Sequence, residues 1–71
     1  MKKPINFMGL IGMNSIIVEN ELLGHKFELE STQNNGDYTY RVYKSTPFVY
    51  HVNVKYRNEK TGLFAESFII Y

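Results

Sequence analysis

Seventy-one residues with a net charge of +1 suffice for one domain, over residues 1–71, and lack the strong basic footprint of a dedicated nucleic-acid module. The sequence has no cysteine, which excludes a disulfide framework, a zinc knuckle and a thiol nucleophile. Its 44% apolar content excludes intrinsic disorder, but a core of this size supplies only about 3–5 kcal/mol, so self-association is expected, with a homodimer as its simplest form.

The apolar set favours strands. Six Ile, five Val, six Tyr and five Phe stand against one Ala and no Trp, which suits pleated packing better than helices. The residue types common in AT-rich coding (Phe, Tyr, Met, Ile, Asn, Lys) number 33 against 10 for Gly, Ala, Arg and Pro, a balance that points to an AT-rich genome.

Lys2 and Lys3 followed by Ile5 to Met13 copy the opening of a secretory signal, but no small-residue cleavage site follows and removal would leave too little chain to fold. A cytoplasmic protein is expected. Phe7 to Val18 is broken by Asn14 and Ser15 and falls short of the ~18 continuous apolar residues that cross a bilayer, so it reads as core rather than as a membrane span. Gly9 and Gly12 read as backbone clearance or a bend, since the helices that flank an RNA-clamping glycine loop are lacking. Ser15 to Glu19 is the expected position of a further strand.

Asn35-Gly36 is a strong hairpin signal, because a type I′ turn needs positive φ at both central residues and this pair tolerates it. It joins residues 25–34 to 37–44. Counting outward from a two-residue loop places Glu30 opposite Arg41, Leu29 opposite Val42 and Glu28 opposite Tyr43, so that opposite charges meet and apolar residues meet. The next strand, Phe48 to Arg57, alternates between Phe48, Tyr50, Val52, Val54 and Tyr56 on one face and Val49, His51, Asn53, Lys55 and Arg57 on the other. A connection of Ser45, Thr46 and Pro47 places Val42 opposite Tyr50, Tyr40 opposite Val52 and Tyr38 opposite Val54. A loop over residues 59–62 ends on Gly62, which accepts positive φ, and residues 63–71 return with Lys55 opposite Glu66, Tyr56 opposite Ala65, Val52 opposite Ile69 and Tyr50 opposite Tyr71.

The resulting meander has a first face of Phe27, Leu29, Tyr38, Tyr40, Val42, Phe48, Tyr50, Val52, Val54, Ile69 and Tyr71, too apolar to stay in water. Residues 5–23 remain to cover it. The expected fold is all-β, a small five-stranded antiparallel meander closing into a barrel-like sheet; the alternative is α+β, an N-terminal helix on a four-stranded antiparallel sheet.

The second face mixes Glu28, Glu30, Arg41, His51, Lys55, Arg57 and Glu66 with Tyr43, Val49, Phe64, Phe68 and Ile70. Such a mixture is the composition of a contact surface, with Tyr43, Phe64 and Phe68 as anchors and Arg41, Lys55, Arg57 and His51 around them. Ordinary internal packing is the competing reading. Phe68 to Tyr71 is apolar on both faces, as befits an interior strand or an edge that pairs with another copy.

Enzymatic constellations do not assemble in these registers. His25 shares the face of Phe27 and Leu29 whereas His51 points the other way, Asp37 sits at the turn, and Glu28 and Glu30 have cross-strand partners but no cleft. None of the serines has a nucleophile-elbow context, and no phosphate-binding glycine loop occurs. No cofactor or metal is expected. The sequence therefore reads as a non-enzymatic β module that occupies a surface on a partner protein, in the manner of a phage- or mobile-element-encoded inhibitor of a host protein. The alternative is single-strand nucleic-acid or nucleotide binding through the Tyr and Arg strip, weakened because Glu28, Glu30 and Glu66 face Tyr43, Arg41 and Lys55. A structural subunit of a larger assembly is a third reading.

Overall fold

A computed structural model describes residues 5–45 and 50–71. A short 3-10 turn, Met8–Leu10, leads into helix α1 (Ser15–Gly24), and four strands follow: β1 (Phe27–Asn35), β2 (Tyr38–Ser45), β3 (His51–Glu59) and β4 (Gly62–Ile70). The strands form one antiparallel sheet in the order β1-β2-β3-β4. The described residues are thus mostly β, four strands and one helix. The expected five-stranded, barrel-like sheet gives way to the α+β alternative.

The helix replaces the strand expected at Ser15 to Glu19, and its cause is local. The Asn14 side chain accepts a hydrogen bond from the Ile16 N–H at 2.8 Å, capping the first turn. Ser15, Val18 and Leu22 then recur at helical spacing and are the buried residues of α1. The β-branched run Ile16-Ile17-Val18 disfavours helix by tenths of a kcal/mol per residue, which the cap and the burial of Val18 and Leu22 overcome. These two pack with Leu10 against Tyr43, Val52, Val54, Tyr56 and Ala65 to make the core. The N-terminal segment covers one face of the sheet, but of the side chains expected beneath it Tyr38, Tyr40, Val42, Ile69 and Tyr71 lie on the other face.

Registers differ from the expected ones in three places, each with a physical reason. The β1–β2 loop is Gly36-Asp37, closed by Asn35 opposite Tyr38. Positive φ is confined to Gly36 (64°), and Asp37 is not left-handed, which rules out type I′ and matches a glycine-first turn. Asn58 on β3 holds that turn: its N–H donates to the Asp37 carbonyl and its Nδ2 to the Gly36 carbonyl, both at 2.8 Å. Glu30 and Arg41 are consequently not cross-paired; Arg41 lies opposite Thr32.

Next, the ladder between β2 and β3 is offset by an odd number of residues. Ser45 N–H meets the Tyr50 carbonyl at 2.8 Å, Val42 lies opposite Asn53, and Tyr43 lies opposite Val52. An odd offset exchanges the two faces of a strand. Tyr43 and Arg41 therefore turn toward α1, while Tyr38, Tyr40 and Val42 turn away, the reverse of the expected assignment. Phe48 and Val49 fall outside the described residues.

Finally, both edge strands carry a β-bulge. On β1 it falls at Glu30, between Leu29 and Ser31, and on β4 at Glu66, after Ala65. Each extra residue resets the alternation. Phe27 and Leu29 stay on the core side while Ser31, Gln33 and Asn35 go to the open side. On β4, Leu63 and Ala65 are core-facing before the bulge and Phe68 and Ile70 after it, so Ile69 and Tyr71 face outward and Lys55 lies opposite Ser67 rather than Glu66. Tyr56 does lie opposite Ala65, as expected. The last turn closes at Gly62, whose φ of 138° and close approach to the Asn14 amide (a Cβ would sit 3.0 Å from it) both call for glycine.

Candidate interaction surfaces

The seven residues singled out from the sequence divide between the two sides of the sheet. Tyr43, Arg41 and Phe68 face the helix; Lys55, Arg57, His51 and Phe64 face away. They do not form one surface.

On the helix side, Tyr43 is fully buried beside Tyr56, and their hydroxyls share a hydrogen bond at 2.9 Å. Burial pushes the Tyr43 phenol up to about 12, with the hydrogen bond to Tyr56 opposing the rise and the nearby Glu19 carboxylate adding to it. Tyr56 moves in the same direction, again chiefly through burial and then through its hydrogen bond with Tyr43. Arg41 reaches up from β2 to pair with Glu19 on α1, its guanidinium carbon 5.7 Å from the Tyr56 ring centroid. Phe68 packs on Phe7, ring centroids 5.2 Å apart. This is a polar cluster within a covered core. Glu19, Tyr56 and Asn58 were not singled out from the sequence; the helical spacing that places Glu19 beside Ser15, Val18 and Leu22 was the available signal for the first.

The open face is a grid of four rows across β1 to β4. Asn35, Tyr38, Arg57 and Phe64 form one row; Gln33, Tyr40, Lys55 and Ser67 the next; then Ser31, Val42, Asn53 and Ile69; then Glu28, Lys44, His51 and Tyr71. Lys55 Nζ sits 4.1 Å from the Tyr38 ring centroid. Arg57 donates to Glu59 from Nε at 2.9 Å and lies 2.7 Å from it at Nη2, and that hydrogen bond raises the guanidinium pKa further. His51 stacks on Tyr71 at 5.0 Å, with Nε2 3.2 Å from the Glu30 carboxylate on the bulge. Between β1 and β3 lies a shallow depression of about 320 Å³ lined by Ser31, Gln33, Asn35, Tyr40, Val42 and Asn53. Apart from the Val42 side chain its lining is amide, hydroxyl and phenol, with no charged group.

A second uncovered surface is the outside of the N-terminal layer. Met8 (78% exposed), Ile11, Met13, Ile16 (68% exposed), Ile17 and Leu23 all present their side chains to solvent. Ile16 and Leu23 lie at helical spacing on the outer side of α1 with Ile17 beside them, interrupted by Asn20 and Glu21, so the helix carries apolar side chains outside as well as inside. Helices of that composition are ordinarily covered on both sides.

His25 follows α1, its Nδ1–H donating to the Glu21 carbonyl at 2.9 Å, whereas His51 pairs with Glu30. Among the described residues no three His, Asp or Glu side chains converge as a metal site would require, and no helix is long and apolar enough to cross a membrane. The chain matches no protein-family model, no curated protein and no solved structure.

Proposed function

We propose that the chain is a non-enzymatic binding module that occupies a surface on a partner protein, and that the outside of α1 and its lead-in makes the contact. The observation that carries this reading is the uncovered layer of Met8, Ile11, Met13, Ile16, Ile17 and Leu23. Ile16, Ile17 and Leu23 are the anchors of an apolar helix face that fits a hydrophobic groove. A host-protein inhibitor of phage or mobile-element origin is the form suggested by the chain's size and AT-rich coding. Capture from a bacterial lysate by the native chain is compared with a variant carrying Ile16→Asp and Leu23→Lys. Both positions are exposed and both substitutions suit the local helix dipole, so the variant is expected to keep the fold, checked by its circular dichroism. A protein retained by the native chain and lost by the variant supports the reading; equal retention overturns it.

A second reading is supported by the corrected registers. Glu28, Glu30 and Glu66 do not lie opposite Tyr43, Arg41 and Lys55 in the way that weakened the case for nucleic acid; Tyr40 and Lys55 instead lie side by side, next to the amide-lined depression. Aromatic stacking, amide hydrogen bonding and nearby cations are what a single strand needs. Oligonucleotide affinity that falls steeply with salt and is lost with Tyr40→Ala would favour this over protein docking.

A further inference from the structure

Strand β4 is treated differently along its two halves. Over the first half its outer edge is occupied: Gly12 N–H donates to the Ala65 carbonyl at 2.7 Å, and Ala65 N–H to the Met13 carbonyl at 2.8 Å. Beyond the Glu66 bulge this cover stops. His51 and Tyr71 exchange both backbone hydrogen bonds, at 2.8 and 2.9 Å, which fixes the alternation of an antiparallel ladder. Tyr71, Ile69 and Ser67 bond inward to β3, so Phe68 and Ile70 aim their N–H and C=O groups outward. Among the described residues no backbone group meets them.

Sheet edges are ordinarily blunted by a lysine, a proline or an inward-pointing charge. The stretch Ser67 to Tyr71 carries none of these, and Ile69, Ile70 and Tyr71 remain 61%, 54% and 60% exposed. The opposite edge is different in kind: β1 runs through Ser31, Thr32, Gln33, Asn34 and Asn35.

We propose that this half of β4 pairs antiparallel with the same stretch of a second copy, about a two-fold axis at Ile69. The register follows from the outward groups. Centring on Ile69 puts Phe68 of each copy opposite Ile70 of the other, and these are the residues whose donors and acceptors point outward. It also sets Ile69 against Ile69 and Ser67 against Tyr71. No charged side chain lies in the paired stretch, so a like copy meets no like charge; centring one residue earlier sets Glu66 against Ile70 and loses this match. The three exposed side chains offer roughly 100 Å² each, or about 600 Å² over both copies, short of the ~1,200–2,000 Å² of a standard stable interface. The pair is accordingly a reversible, concentration-dependent dimer with a continuous eight-stranded sheet. It uses an edge and leaves both surfaces described above free, so it stands apart from the partner-protein reading.

Because the chain has no cysteine, single substitutions report the register directly. Residues that face each other across a non-hydrogen-bonded antiparallel pair are about 4.5 Å apart at Cα, within disulfide reach. Ser67 and its symmetry mate are displaced by four residues along the strand, about 13 Å. Under mild oxidation Ile69→Cys is expected to form a covalent dimer at least ten-fold faster than Ser67→Cys. Equal rates for the two would overturn the proposed register. Sedimentation of the unsubstituted chain is expected to show monomer and dimer exchanging with concentration, with the dimer lost when Ile69→Lys sets two cations across the axis. A chain that stays monomeric up to millimolar concentration, or an Ile69→Lys variant that dimerises as well as the native chain, overturns the proposal.

Discussion

Lys26 leaves α1 with a φ of 65°, in the left-handed region where a side chain is strained and glycine is not. Gly24 lies two residues too early to relieve it. Lys26→Gly is therefore expected to raise stability by about 1 kcal/mol, read as a shift of the denaturation midpoint at unchanged slope. The buried phenols give a second prediction at this scale. Tyr43 has its pKa raised from 10.0 to about 12 in the folded chain, and Tyr56 moves the same way. Above pH 10 the unfolded chain releases these protons while the folded chain holds them, so stability falls as pH rises from 10 toward 12, and these groups contribute no slope below that window. Tyr43→Phe is expected to make the alkaline loss shallower in denaturation measured from pH 8 to 12. It also lowers stability at pH 8 by about 1 kcal/mol, because the Tyr56 hydroxyl loses its partner.

Between elements, the ion pair of Glu19 with Arg41 ties α1 to β2 at a point where both side chains are about three-quarters covered. Removing one member leaves the other charge in a poorly hydrated site. Glu19→Leu alone and Arg41→Met alone are each expected to cost about 1–3 kcal/mol, while the double substitution costs less than their sum; strict additivity would show that the pair does not couple the two elements. The same pair explains part of what the sequence concealed. Strand positions, the loops near Gly36 and Gly62, the covered faces of Val52 and Val54 and the match of Tyr56 to Ala65 follow from alternation and turn chemistry. Which side Tyr43 and Arg41 face does not, because an arginine reads as solvent-facing until Glu19 is seen to lie above it, and the β-branched run ending at Glu19 reads as a strand. Bulges at Glu30 and Glu66 were also hidden. One unpaired residue reverses every side chain beyond it, and the sequence of an edge strand does not announce where that residue falls. The capping Asn14 was the legible sign of the helix, outweighed by the β-branched residues that follow it.

The whole molecule is a two-layer object with unequal sides. Inside, α1 and its lead-in bury one face of the sheet through Leu10, Val18 and Leu22. Outside, that same layer presents Met8, Ile16 and Leu23, and the far side of the sheet presents Tyr40 and Lys55 beside an amide-lined depression. Each uncovered side has its own chemistry, apolar on the helix and polar-aromatic on the sheet, and the half of β4 beyond its bulge is the edge proposed to pair with a second copy. This division depends on the odd offset between β2 and β3. Nitration of tyrosines in the native protein, mapped by mass spectrometry of its peptides, reads that offset directly. Tyr50 and Tyr71 are expected to react first and Tyr38 and Tyr40 more slowly, with Tyr43 and Tyr56 protected until the chain unfolds. Modification of Tyr43 at the rate of Tyr40 in the folded protein would contradict the account.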